Sequence, residues 1–152
     1  MFRGINAINL DSKGRISMPA RYRAAIESES KGQLVITIDT EERCLLLYPL
    51  PTWEEIEKKI ESLPSFNQVT RRIQRLLIGH ATELEMDGNG RLLLPPLLRE
   101  YASINKQLVL VGQGKKFELW DKNVWGEGRN KWLNEGIGDN DTLPPELQLL
   151  SL

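Results

Sequence analysis

Short apolar runs separated by turn-forming residues occupy most of the chain, a pattern typical of β-rich proteins. They predict two hairpins, Gln33–Asp39 with Cys44–Tyr48 and Gln107–Val111 with Phe117–Trp120. Short strands are also predicted at Ile8–Leu10 and Leu84–Met86. A helix is predicted after Pro19 and another after Pro95, because proline fits the first turn of a helix.

Two further helices are predicted between the hairpins. Thr52 followed by Glu55 has the spacing of a capping box, and Pro64 would end this helix. The second helix is predicted over Gln68–Ile78, with Gly79 placed to stop it. Its apolar face would consist of Val69, Ile73, Leu76 and Leu77.

One nine-residue segment occurs twice. Residues 11–19 read DSKGRISMP and residues 87–95 read DGNGRLLLP, so Asp, Gly, Arg and Pro recur at an offset of 76. Arg23 and Arg99 match at the same offset. A shared offset over separated positions indicates an internal duplication. The sequence therefore predicts two copies of one module, each ordered as strand, turn, strand, helix and hairpin.

The repeat predicts a mixed α+β protein that is rich in β-structure. Its expected divisions are a first module at 1–52, a helical connector at 53–80, a second module at 81–121, and a C-terminal helix and tail at 122–152. Trp125 and Trp132 indicate the C-terminal helix, although Gly126 and Gly128 weaken its start.

Charge is distributed unevenly along the chain, although the net charge is only −1. Residues 1–76 hold 12 basic and 10 acidic residues, whereas residues 77–152 hold 8 and 11. Within the first 23 residues, 5 basic side chains accompany 1 acidic side chain, that of Asp11. This basic cluster is a candidate footprint for nucleic acid, and a merely solvated basic face is the alternative.

Few residues suit catalysis or metal binding. His80 is the only histidine, so paired imidazoles are impossible within one chain, and Cys44 beside three leucines is interpreted as a buried structural thiol. Residues Asp87–Gly90 lack the acidic positions of a calcium loop, and Gly112–Lys116 lacks the spacing of a phosphate loop. We therefore expect no enzyme, no metal site and no cofactor.

Segments that direct a chain to a membrane or out of the cell are not evident. No stretch is long and apolar enough to cross a bilayer, and the N-terminal residues lack the pattern of a secretory signal. The single cysteine cannot form a disulfide within the chain. A cytoplasmic protein is expected.

The duplicated segment resembles the two signature segments of the MraZ family, and the resemblance extends over nearly the whole chain. It implies two tandem, pseudo-symmetric AbrB-like modules whose swapped hairpins form a small β-barrel with flanking helices. It also implies a nucleoid-associated transcriptional regulator of the division and cell-wall gene cluster, with repression as the expected direction. Members of this family form rings, so a homo-oligomer that binds repeated promoter elements in double-stranded DNA is expected.

Two apolar runs fit this expectation of an oligomer. Leu45–Leu47 and Leu92–Leu94 are candidates either for buried strands or for contacts between subunits. A ring would hold several basic faces at a fixed spacing, which favours tandem DNA sites through avidity.

Arg15 is the first candidate for a base contact, because a guanidinium can bond two acceptors on a guanine edge. The other candidates, assigned mainly to phosphates, are Lys13, Arg3, Arg21 and Arg23. The alternative is structural, and its ion pairs are Asp11 with Arg15 and Asp87 with Arg91.

Acidic neighbours make the second copy a poor phosphate surface. We therefore expect both turns to be structural and the first to contact DNA as well. A protein-binding scaffold or antitoxin-like module is the other functional hypothesis, and in that case Arg15→Ala would spare the main interaction.

Overall fold

Strands and helices of both repeats are present in the computed structural model, which describes residues 1–138 and 143–151. Residues Met1–Lys122 form one compact unit. Its strands are β1 Phe2–Asn9, β2 Arg15–Ser17, β3 Gln33–Ile38, β4 Leu45–Pro49, β5 Thr82–Glu85, β6 Arg91–Leu93, β7 Gln107–Gly114 and β8 Phe117–Asp121. Its helical segments are α1 Ala20–Ser30, α2 Leu50–Glu61, α3 Gln68–Ile73 with a π-helical turn at Gln74–Ile78, and α4 Pro96–Tyr101.

Strands of the two repeats are interleaved in one antiparallel sheet. Its order is β1-β7-β8-β4-β3-β5, and β2 pairs with β6 in a separate two-stranded sheet. β1 of the first repeat pairs with β7 of the second, and β5 of the second pairs with β3 of the first. β1 to β4 of the first repeat correspond to β5 to β8 of the second. Replacing each strand of the main sheet by its counterpart gives the same order, read from the opposite edge. The mixed class is confirmed.

The main hydrophobic core receives equivalent positions from both repeats. Ile16 and its repeat mate Leu92 are fully buried there, as are Met18 and Leu94. A second cluster, on the other face of β3 and β4, consists of Val35, Leu46, Tyr48 and Trp53. β3 and β4 are therefore buried on both faces, which explains their continuous apolar sequences.

The two apolar runs differ in burial. Every residue of Leu45–Leu47 is buried within the chain. Along β6, Leu92 and Leu94 are fully buried, whereas Leu93 between them is 58% exposed. Side chains alternate between the faces of a strand, so β6 contributes only one face to the core.

The helices between the repeats differ from the prediction at their starts. α2 begins two residues before Thr52, with Pro51 in its first turn and no side-chain cap, so the predicted capping box was wrong. α3 does have a side-chain cap, because Asn67 Oδ1 accepts hydrogen bonds from two backbone N–H groups of the first turn. Val69 is 57% exposed, so its predicted place on the apolar face was also wrong.

Strands β1 and β7 are longer than predicted because they pair with each other. Phe2 lies opposite Gly114, so the ladder includes residues that were predicted as a turn. Phe2 is buried, and its ring stacks on Phe117 with centroids 4.2 Å apart. These contacts stabilise a strand that starts six residues before Ile8, the predicted first residue.

The second compact unit, Asn123–Leu152, contains most of α5 (Lys122–Glu135) and all of α6 (Pro145–Gln148). Trp125 and Trp132 pack edge to face, with ring centroids 5.9 Å apart. The helix predicted from these tryptophans is confirmed. Residues 139–142 and 152 of the predicted tail lie outside the described residues. No helix in the described ranges has the length and apolarity needed to span a membrane.

Candidate nucleic-acid interface

The first copy of the duplicated segment folds into a turn that is closed by Asp11. Asp11 Oδ1 accepts hydrogen bonds from the backbone N–H groups of Lys13 and Arg15, at 2.9 and 2.8 Å. Asp11 Oδ2 accepts a hydrogen bond from Arg15 Nε at 2.8 Å. These bonds favour the ionised carboxylate, and the backbone bond from Arg15 is the largest cause that lowers the pKa of Asp11.

The second copy repeats this arrangement. Asp87 Oδ1 accepts from the backbone N–H groups of Asn89 and Arg91, at 2.9 and 2.8 Å. Asp87 Oδ2 accepts from Arg91 Nε at 2.9 Å. The backbone bond from Arg91 is again the main cause of a lowered carboxyl pKa. Both Asp–Arg ion pairs therefore fix the shape of a turn.

The two turns also bond to each other. The Met18 N–H donates to the Gly90 carbonyl at 2.8 Å, and the Leu94 N–H donates to the Gly14 carbonyl at 2.9 Å. Gly14 and Gly90 have φ values of 84° and 75°, which glycine adopts without strain. Between them, β2 and β6 form an antiparallel ladder. We call residues 11–18 and 87–94 together the crossed-turn element.

Arg23 and Arg99 lie under the crossed-turn element, each against the turn of the other repeat. Arg23 Nε donates to the Met18 carbonyl at 2.8 Å and lies close to Gly90. The Arg99 guanidinium lies against Gly14, and its Nε is buried without a hydrogen-bond partner in the part of the chain that the structure describes. Both arginines are half-buried. Arg23 Nε therefore supports a turn, and this side chain is less exposed than those of Arg3 and Arg21.

Arg3 and Arg21 lie elsewhere, where β1 contacts α1. Arg21 Nη2 donates to Asn6 Oδ1, and its guanidinium lies 4.6 Å from the centroid of the Tyr22 ring. The Tyr22 hydroxyl donates to the backbone carbonyl of Arg3. Both arginine side chains are exposed. The contacts thus group Lys13 with Arg15 in one turn, and Arg3 of β1 with Arg21 of α1.

Lys13 borders a surface groove of about 450 Å³, with Arg99 in the same lining. The other walls are Thr82–Glu85 of β5 and residues Leu93–Pro96. Glu83 and Glu85 therefore share the groove with Lys13. Their negative charge weakens the attraction of Lys13 for a phosphate.

A family model described as "MraZ protein, putative antitoxin-like" matches residues 1–76 and 77–135, which together cover most of the sequence. The chain belongs to the MraZ family. The boundary between the two matches falls at the offset of the internal repeat.

Three relatives are each called Transcriptional regulator MraZ. They are from Coxiella burnetii, Legionella pneumophila and Halorhodospira halophila, at 62%, 56% and 53% identity. Each match spans 152 residues and 100% of both chains. MraZ proteins are transcriptional regulators, which confirms the prediction of a regulator rather than an enzyme.

One part of this MraZ site was missed by sequence reasoning. Arg23 and Arg99 were recognised as repeat mates, but their contact with the opposite turn was not expected. The available signal was their separation of 76 positions, which equals the offset of the repeat. A position shared by both copies outside the nine-residue segment indicates a structural role in each copy.

Proposed function

We propose that the chain binds double-stranded DNA sequence-specifically and represses the division and cell-wall gene cluster. In this proposal Arg15 contacts a base, and the phosphate contacts come from Lys13, Arg3, Arg21 and Arg23. The names of the MraZ relatives as transcriptional regulators support a DNA partner. The observation that carries the proposal is the partly exposed, fixed guanidinium of Arg15.

Arg15 is held in a way that suits recognition of a base. Its side chain is 26% exposed, and Asp11 fixes it through Nε. Within the described residues, no hydrogen bond uses its terminal nitrogens Nη1 and Nη2. Bidentate recognition of guanine needs two N–H groups of this kind. Because the ion pair already orients the group, less rotamer freedom is lost on binding.

Arg91 provides a matched comparison for Arg15. It makes the same bonds to its own aspartate, and its side chain has a similar exposure of 33%. Its repeat carries Glu83, Glu85 and Glu100, which repel phosphates. We therefore assign Arg91 a structural role.

The proposal extends to the assembly. We propose swapped-hairpin, AbrB-like modules at 1–52 and 81–121 that form a small barrel, and a homo-oligomeric ring at the nucleoid. The interleaved pairing of β1 with β7 and of β3 with β5 supports strand exchange between modules. A ring that binds repeated promoter elements gains affinity through avidity. A duplex with tandem elements should then bind more tightly than one with a single element, and equal affinity would contradict the ring.

Fluorescence anisotropy tests the DNA contact. The full chain is titrated with a duplex of its own upstream region and with a scrambled duplex, at two salt concentrations. Arg15→Ala should weaken binding to the upstream duplex by about 5- to 150-fold, the effect of about 1–3 kcal/mol for a lost bidentate contact. Arg91→Ala removes a structural contact but no proposed base contact, so it should lose much less affinity than Arg15→Ala.

Circular dichroism and size-exclusion chromatography establish that both variants fold and assemble. Equal losses in the two folded variants would assign both arginines to structure alone. If the wild type binds neither duplex, the protein-binding or antitoxin-like hypothesis replaces DNA binding.

A further inference from the structure

Three potential metal ligands meet beside the neighbouring strands β3, β4 and β8. Asp39 follows β3, Cys44 precedes β4, and Glu118 lies in β8. One oxygen of each carboxylate and the Cys44 Sγ all lie within 4.8 Å of one another. None of these residues belongs to the crossed-turn element, so the proposed DNA contact does not account for the cluster.

The cluster places acidic groups where solvent reaches them poorly. Cys44 is fully buried, and Asp39 and Glu118 are half-buried. Among the described residues, neither carboxylate forms an ion pair. Carboxylates in such surroundings are normally paired with a cation or bound to a metal.

The distances between ligand atoms suit a small metal ion. The Cys44 thiol donates a hydrogen bond to Asp39 Oδ2, with 3.6 Å between sulfur and oxygen. Zinc binds thiolate sulfur at about 2.3 Å and carboxylate oxygen at about 2.1 Å, so two such ligands at a tetrahedral angle are about 3.6 Å apart. A zinc ion that replaced the thiol proton could therefore bind both atoms at close to their present separation.

Glu118 is held in place by a group outside the cluster. The Trp120 indole Nε1–H donates to Glu118 Oε1 at 3.0 Å. Partners of this type orient metal-binding carboxylates in many proteins. The ligands are separated in sequence by 5 and 74 positions, so only the pairing of β4 with β8 brings them together.

We propose that Asp39, Cys44 and Glu118 bind one divalent transition-metal ion of the Zn²⁺ type. A thiolate ligand favours such an ion over Mg²⁺ or Ca²⁺, which prefer oxygen ligands alone. Three protein ligands leave the fourth tetrahedral position to water. The metal replaces the thiol proton, which is released to the solvent. The bound ion connects three strands and stabilises this end of the sheet.

Cobalt titration tests the site in the full chain after treatment with a chelator. Co²⁺ bound to a thiolate gives a charge-transfer absorption band, and Zn²⁺ should abolish the band by competition. We expect one Co²⁺ per chain, no band in Cys44→Ser, and at least about tenfold weaker binding in Glu118→Gln. The control Glu41→Gln removes an exposed charge from the same loop and should keep wild-type affinity.

Thermal unfolding gives a second readout. Zn²⁺ should raise the Tm of the wild type and of Glu41→Gln, but not that of Glu118→Gln. A folded wild type without a cysteine-dependent band overturns the proposal. So does wild-type affinity in both Glu118→Gln and Asp39→Asn, because binding would then involve the thiol alone. If Cys44→Ser does not fold, the two carboxylate variants decide the result.

Discussion

At the scale of a single residue, each turn of the crossed-turn element depends on a glycine for two separate reasons. Gly90 has a φ of 75°, which residues other than glycine rarely adopt. A Cβ at this position would also lie only 2.2 Å from Arg23 Nε. The backbone conformation and the arginine beneath the turn therefore both require glycine at this position.

Gly90→Ala should lower the free energy of unfolding by more than about 1 kcal/mol, because the αL strain and the displaced arginine add. Gly88→Ala is the matched control in the same turn, since nothing lies within 4 Å of an added Cβ there. Urea unfolding followed by circular dichroism measures both. Equal effects of the two substitutions would show that the contact with Arg23 and the positive φ do not matter.

The turn residues themselves could be predicted from the sequence, because a turn is a local structure. The Asp–x–x–x–Arg spacing is enough to indicate the pairs Asp11–Arg15 and Asp87–Arg91 as structural candidates. The placement of Arg23 could not be predicted. It depends on a contact with Gly90, which lies 67 positions further along the chain.

At the scale of an element, β6 illustrates how one strand separates core from surface. Leu92 and Leu93 are adjacent and chemically identical, yet the first is fully buried and the second is 58% exposed. The pleat of the strand turns successive side chains to opposite faces. Neighbouring leucines therefore have different effects on stability.

Leu92→Ala should cost about 2–5 kcal/mol of unfolding free energy, because it removes buried atoms and leaves a cavity. Leu93→Ala should change this free energy by less than about 0.5 kcal/mol, as is usual for a surface position. The midpoints of denaturant unfolding curves give both values. A large loss of stability in Leu93→Ala would instead place that side chain in a contact between subunits.

Elements were predictable where their signals are local. The hairpins follow from apolar runs and turn residues, and α1 and α4 follow prolines as expected. The predictions of element boundaries were wrong where another residue or a distant strand determined the boundary. The capping box at Thr52 was overridden by Pro51, which starts α2 earlier. The length of β1 was missed because its first residues are stabilised by pairing with the distant strand β7.

At the scale of the whole molecule, neither repeat has its own sheet. β1 and β2 pair with β7 and β6, which belong to the second repeat. The main core likewise contains Ile16 of the first repeat and Leu92 of the second. The duplication could be read from the sequence, but this interleaving could not, because the offset of 76 does not specify which strands pair.

Leu110→Ala in β7 should accelerate amide hydrogen exchange along β1, in the other repeat. Leu110 is fully buried and lies opposite Asn6. Its truncation therefore lowers the free energy needed to open the paired strands β1 and β7. Leu133→Ala, at a 64% exposed position of the second unit, is the control and should leave exchange in β1 unchanged. Exchange in β1 that stays at the wild-type rate in a destabilised Leu110→Ala would mean that the repeats open independently.

The reciprocal bonds between Met18 and Gly90, and between Leu94 and Gly14, have a consequence for how such a gene can change. A substitution that shifts the backbone of one turn alters the support of its twin, so the two turns cannot change their backbone conformations independently after duplication. Selection that preserves the Arg15 turn also preserves the Arg91 turn, whether or not the second turn touches a ligand. The twin motif is then inherited as a scaffold for its partner.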